Sequence, residues 1–149
     1  MQLPPFRKPN KSRAQNMRAI RSTGNQTTEK RLMSLLNSCK LKGWQLQPVD
    51  IPGKPDLFAR RKRVAVFVDG CFWHGCHSCG HIPKRNAAYW RAKILRNRRR
   101  DVRISRLLRA HGYSVIRIRE CQLRLKPDRS VERIKRALRV PRPRRMPRG

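Results

Sequence analysis

Three cysteines, Cys71, Cys76 and Cys79, fall within nine residues and are interleaved with His74, His77 and His81. Cys-x4-Cys-x2-Cys supplies three soft donors from one loop, and a fourth thiol, Cys121, lies just past the end of a later apolar stretch. Four thiolates suit a closed, tetrahedral zinc site made of Cys71, Cys76, Cys79 and Cys121. Two alternatives stay open on spacing: Cys76 and Cys79 as a redox pair, or one of the three histidines in place of a cysteine, His81 being the reserve ligand. A closed zinc site has no open position for water, so it would hold the loop and leave the chemistry to another centre.

The acids that could form that centre are few. Asp56 follows Pro55 and opens a short apolar run, where a carboxylate can hold a divalent ion, naturally Mg²⁺, against a scissile phosphate; a plain turn aspartate is the bland alternative. Asp69 ends the run Val64 to Val68, so a hairpin through Arg60 to Arg63 would bring Asp56 and Asp69 side by side. His74 can act as general acid or base near neutrality, and Asp101 can orient it through a carboxylate–imidazole bond or simply pair with a neighbouring arginine. Glu29 sits where a helix begins, a position the macrodipole favours for any acid. Phe72 and Trp73 are consecutive aromatics in a glycine-bearing polar loop and could wedge between bases; Trp90 could join them, or pack in the core.

The elements that must position these residues read as an α/β domain. Val64 to Val68 is a buried strand, Leu57 to Ala59 a short one beside it, Trp44 to Val49 an edge strand ended by Pro48, and Tyr113 to Ile118 another strand, running to Glu120-Cys121. Helices are expected from Thr27 to about Cys39, from Ala87 to about Arg109 as one helix or two, and from Asp128 to Val140. Ser12 to Ile20 reads as a short helix whose Met17 and Ile20 share a face, by spacing more suited to core packing than to a DNA groove. Residues 1–12 read as a mobile basic arm, 13–140 as the domain and 141–149 as a disordered Pro/Arg tail.

With 39 Lys and Arg against 8 Asp and Glu, the formal charge is +31, which calls for a polyanionic partner. The start has no signal-peptide pattern and no apolar run approaches a membrane span, so a cytoplasmic, nucleoid-associated protein without membrane contact is expected.

In order along the chain, Asn16-Met17-Arg18-Ala19-Ile20, Glu29-Lys30-Arg31-Leu32, Pro52-Gly53-Lys54-Pro55-Asp56, Phe67-Val68-Asp69-Gly70-Cys71-Phe72-Trp73-His74, Tyr89-Trp90 and Glu120-Cys121 together resemble the very-short-patch mismatch repair endonucleases. The resemblance implies a core similar to type II restriction endonucleases, with a central mixed sheet flanked by helices and a structural zinc. It implies a Mg²⁺-dependent single-strand nick on the 5′ side of the thymine of a T:G mismatch, the product of 5-methylcytosine deamination.

By the same resemblance, Asp56 is the metal-binding aspartate with the Val68 carbonyl as a further Mg²⁺ contact. His74 is the catalytic histidine, Asp101 its helper and Glu29 an acid near the site. Phe72, Trp73 and Trp90 resemble the aromatic wedge, and Met17 and Ile20 the minor-groove side of the clamp, which reverses the core-packing preference. The family's best-known pattern has a histidine where this chain has Asp69, an acid that could bind Mg²⁺ itself, and its zinc loop mixes histidine with cysteine. Duplex DNA carrying T:G is the expected partner, acted on by a monomer, with other mismatch-repair proteins left open as partners. The competing readings are a zinc-stabilised, non-catalytic DNA-binding protein and a nuclease that cuts matched sites.

Overall fold

The computed structural model describes residues 2–7 and 28–140. The expected helix carrying Met17 and Ile20, and the tail from 141, lie outside the described residues.

The first helix, α1, covers residues 28–38 and is built on Leu32 and Leu36, one turn apart and both fully buried. Four strands follow as β1 (Gln45–Leu46), β2 (Leu57–Ala59), β3 (Val64–Asp69) and β4 (Ser114–Arg119), with helices α2 (Ala87–Ala110), α3 (Glu120–Leu125) and α4 (Pro127–Arg139). They form one sheet in the order β1-β2-β3-β4, antiparallel up to β3 and parallel between β3 and β4. Parallel neighbours need a long crossover, and α2 supplies it.

Alternation along the strands divides the core in two. Leu57, Ala59, Val64, Val66, Ile116 and Ile118 face Leu32 and Leu36 of α1, Leu123 of α3 and Ile134 of α4. Phe58, Ala65 and Phe67 face the other way, against Ile51 and Leu108 of α2. A strand buried on both faces has no polar side to show, which is why β3 reads Val-Ala-Val-Phe-Val without alternation. The α/β expectation is met: a four-stranded mixed sheet flanked by helices. Among the described residues no helix is long and apolar enough to cross a membrane.

Three elements differ from their expected bounds. The edge strand is only Gln45–Leu46, because Gln47 takes a positive φ of 42° and turns the chain so that its N–H reaches the Asp56 carbonyl at 3.2 Å. The long helical stretch is one helix, with Trp90, Ile94, Asp101, Ser105 and Leu108 buried along a single stripe. The last strand does not run into Glu120-Cys121. It stops at Arg119, whose N–H donates to the Gln122 side chain at 3.1 Å and so starts α3, placing Cys121 in a helix's first turn.

The turn that delivers Asp56 to the sheet depends on Gly53. Its φ is +80°, and a Cβ there would lie 2.5 Å from Cγ2 of Ile104 on α2. Gly53→Ala therefore combines backbone strain with a clash, and is expected to lower stability by about 1–3 kcal/mol in urea unfolding. Adding Ile104→Ala should not restore full stability, since the clash goes but the positive φ stays.

Candidate active site and cysteine cluster

Four of the chain's eight acids converge where β2 begins and β3 ends: Glu29, Asp56, Asp69 and Asp101. In a chain of formal charge +31 this is a local inversion of sign, and the fold holds it together in two halves.

In the first half, the Val68 N–H donates to Asp56 Oδ2 at 2.6 Å across the β2–β3 hairpin. Burial pushes the Asp56 carboxyl up to about 7, against the Val68 hydrogen bond, and the hydrogen-bonded Glu29 and nearby Asp69 raise it further. Glu29 reaches the site from the first turn of α1, its carboxylate accepting from Gln47 Nε2 at 3.2 and 3.1 Å. Glu29 and Asp56 thus form a close carboxyl pair, the donor chemistry that suits a hard divalent cation.

In the second half, Asp69, His74 and Asp101 offer ligating atoms within 4.8 Å of one another. His74 Nδ1 lies 2.6 Å from Asp101 Oδ2, and Nε2 lies 3.8 Å from Asp69 Oδ1. Burial raises the Asp101 carboxyl, but the His74 hydrogen bond and the charges of Arg117, His74 and Arg100 outweigh it and hold it below the ordinary value. With Asp101 accepting at Nδ1, that nitrogen carries a proton and Nε2 is the free end of the ring.

The loop bearing His74 is held from outside. Asn97 on α2 donates to the Trp73 carbonyl at 3.1 Å, and Arg98 donates to the carbonyls of His74, at 3.1 Å, and Gly75. Backbone carbonyls that would be orphaned in an irregular loop are satisfied by helix side chains, so His74 and its neighbours are fixed to the helix that carries Asp101.

The four expected zinc ligands come together: the sulfurs of Cys71, Cys76, Cys79 and Cys121 lie within 4.8 Å of one another. Cys76 Sγ and Cys121 Sγ are 3.6 Å apart, close to the roughly 3.8 Å edge of a tetrahedron with Zn–S bonds of about 2.3 Å. Burial opposes ionisation of Cys76, yet backbone N–H groups of Cys79 and Ser78, with the neighbouring thiols, bring it down to about 6. Arg119 approaches the same sulfur at 3.7 Å, and the Cys121 N–H donates to Cys71 Sγ at 3.3 Å. Gly80 closes the turn, its N–H on the Cys76 carbonyl at 2.8 Å, and a Cβ at Gly80 would lie only 2.4 Å from that oxygen. The donor set fits a zinc ion. His77 and His81 lie outside this group and line a half-open cleft of about 410 Å³ between the loop and α2, with Phe72, Ile94 and Leu95.

Phe72, Trp73 and Trp90 also meet, edge to face, with centroids 4.9, 5.2 and 5.9 Å apart. Trp90 is buried and the other two are half-buried. The trio is extended by Tyr89 and by Phe6, whose ring lies 4.7 Å from Tyr89, while both side-chain groups of Asn86 bond the backbone of Arg7. Lys93 Nζ sits 5.2 Å from the Trp73 ring centre.

Several of these residues escaped the sequence reading. Arg117 donates to both oxygens of Asp69, at 2.8 and 2.6 Å, and lies 3.2 Å from Asp101 Oδ1. Its signal was available: a charged side chain in a strand that must pair with a wholly buried one. Asn97 and Arg98 carried no signal within an arginine-rich helix face, and Phe6 none within a Pro-rich basic segment.

A family model described as DNA mismatch endonuclease Vsr matches residues 7–81. A type II nicking enzyme, V.XorIIP of Xanthomonas oryzae pv. oryzae, is 41% identical over 109 residues, covering 72% of this chain and 78% of the relative. The DNA mismatch endonuclease Vsr of Escherichia coli is 38% identical over 115 residues, covering 76% and 72%. The type II nicking enzyme V.NaeI of Lentzea aerocolonigenes is 37% identical over 115 residues, covering 74% and 69%. With a family model matched over half of its length and relatives 37–41% identical over more than two thirds of each chain, the protein is a DNA endonuclease and belongs to the Vsr family of mismatch endonucleases.

Proposed function

We propose that this endonuclease nicks one strand of duplex DNA on the 5′ side of the thymine in a T:G mismatch, using Mg²⁺. The observation that carries the reading is that one loop, residues 70–80, brings His74 to the carboxylates and presents Phe72 and Trp73 beside Trp90.

Asp56 would hold Mg²⁺ with the Val68 carbonyl, Glu29 standing next to it; the bound ion would supply stabilisation of the charge that develops on the scissile phosphate. Asp101 keeps the Nδ1 proton of His74 in place, so Nε2 can take a proton from water or position it for attack. Phe72 and Trp73, backed by the buried Trp90, enter the stack at the mismatch, where unstacking costs less than at a paired step, and Lys93 and the arginines of α2 supply attraction to phosphate. Met17 and Ile20 approach from the minor groove. Cys71, Cys76, Cys79 and Cys121 would hold a zinc ion, which would fix the loop. The reading is of a monomer, one site making one nick.

The decisive assay follows each strand of a labelled duplex carrying T:G or T:A at one position, with Mg²⁺ or EDTA. A nick beside the mismatched thymine that needs Mg²⁺, and that falls by about a thousandfold or more in Asp56→Ala, supports the proposal. Equal cutting of T:G and T:A sinks it. Phe72→Ala with Trp73→Ala should erode the preference for T:G rather than lower both substrates alike.

Asp56 also predicts a pH dependence. Its carboxyl is raised in the fold, so its protonated form contributes stability that is present at pH 4 and lost as pH rises through about 7. Metal-free Asp56→Asn should melt like wild type below about pH 4 and progressively above it as pH rises to 8, while Mg²⁺ should stabilise wild type at pH 8 and leave Asp56→Asn unmoved. A pH-independent difference between the two melts would count against the buried carboxyl pair.

Zinc analysis offers a separate check. One equivalent of metal is expected in purified wild type, and Cys121→Ser should lose it and lower the melting temperature. Retention of full zinc by that variant would remove Cys121 from the ligand set.

A further inference from the structure

Arg117 stands on β4 beside Phe67 of β3, on the face of the sheet covered by α2. A guanidinium there is expensive unless it is fully paired. Its Nε and Nη2 reach the two oxygens of Asp69 at 2.8 and 2.6 Å, and Nη2 also lies 3.2 Å from Asp101 Oδ1. Its Cζ lies over the Phe67 ring, 4.6 Å from the centre, which fixes the plane of the fork. Burial works against the charge, but Asp69, Asp101 and Asp56 more than compensate and keep the group protonated. Asp69 and Asp101 are also the acids that flank His74, Asp101 at Nδ1 and Asp69 toward Nε2.

We propose that Arg117 is the positioning residue of this site: it ties Asp69 and Asp101 to opposite sides of the His74 ring and neutralises Asp69, which serves as its counter-ion and not as a ligand of the divalent metal. One fork therefore does two things. It sets the angle of the imidazole by fixing the carboxylate that holds it, and it keeps a fourth acid from facing the substrate phosphate as an open charge. Lysine cannot do the same, because a single ammonium lacks the planar fork that spans both acids. The inference deepens the reading above and rests on it for the identity of the reaction.

The test is a double-mutant cycle in the T:G nicking assay with wild type, Arg117→Met, Arg117→Lys, Asp69→Asn and the Asp69→Asn/Arg117→Met pair, each checked by thermal melting. Arg117→Met should lower turnover by about a hundredfold, the scale of a misplaced catalytic group, with half-saturation by DNA changed less than about threefold. Arg117→Lys should fall between it and wild type, and carries the comparison if the methionine variant does not fold. Asp69→Asn alone should cost about tenfold or less, and in the pair it should recover at least about tenfold of the loss, since the unpaired acid has gone.

The proposal is overturned if the pair is no better than Arg117→Met, if the loss lies wholly in DNA affinity, or if Asp69→Asn is as damaging as Asp56→Ala. A readout free of activity separates this from the substrate reading. The His74 Nδ1 proton, in its short bond to Asp101, should give a downfield proton resonance that moves or broadens in Arg117→Met and returns in the pair. That pattern in a protein that never cuts T:G would sink the substrate reading and leave Arg117 in its place; an unmoved resonance in Arg117→Met would remove it.

Discussion

The parallel pairing of β3 with β4 is the constraint on which the rest of the site depends. Parallel strands leave a sheet at the same edge, and the register places Asp69 opposite Arg119. Two residues beyond each partner stand Cys71 and Cys121, so the register alone brings a fourth cysteine, distant in sequence, to the loop that carries the other three. The same register sets Arg117 beside Phe67, from where its fork reaches Asp69 at the strand's last position. A slip of one residue would turn both Arg117 and Ile118 to the wrong faces and part the thiols.

The acids then divide according to what neutralises them. Asp69 and Asp101 have Arg117 between them, and Asp101 is held below its ordinary value. Among the described residues no such cation stands between Asp56 and Glu29, and Asp56 is pushed up to about 7 by burial and by its neighbours. The electrostatic deficit of the site is therefore local, and lies where a metal ion would relieve it most. A structural carboxylate cluster would be expected to be charge-compensated throughout; among the described residues this one is compensated by a cation on the Asp69 and Asp101 side only.

Much of this was legible in the chain because it depends on patterns with a fixed period. The unbroken apolar run of β3, the hairpin through Arg60 to Arg63 and the buried stripe of α2 each follow from burial. Cysteine chemistry named the four thiols without any structure. What could not be read is what depends on side chains meeting across elements. Spacing alone left Glu29 indistinguishable from any acid in a first helical turn, and only the resemblance put it near the site; Arg117 carried the signal of a charge in a strand paired with a buried one, but nothing in the chain said which acids it meets. The start of α3 was hidden for a different reason. Gln122 caps the Arg119 N–H by a local bond that competes with strand continuation, and the apolar alternation of β4 carries no trace of it.

The loop between β3 and α2 has no regular structure of its own, yet it bears the histidine and two of the three aromatic residues. Such a segment would ordinarily be too mobile to hold a side chain in a fixed geometry. Here it is pinned on two sides: the thiols of Cys71, Cys76 and Cys79 gather on Cys121 at the sheet edge, and Asn97 and Arg98 grip its carbonyls from the helix. Phe72, Trp73 and His74 lie between the first and second cysteines, and the carbonyls of Trp73 and His74 are themselves held by the helix. The aromatic pair and the imidazole are thus mounted on one short rigid span, and a displacement of Phe72 or Trp73 would be transmitted directly to His74. Since the arginine fork on β4 fixes the acids and not the loop, the two supports are independent, and weakening the thiol anchor would shift His74 away from Asp101 while leaving Asp69 and Arg117 joined.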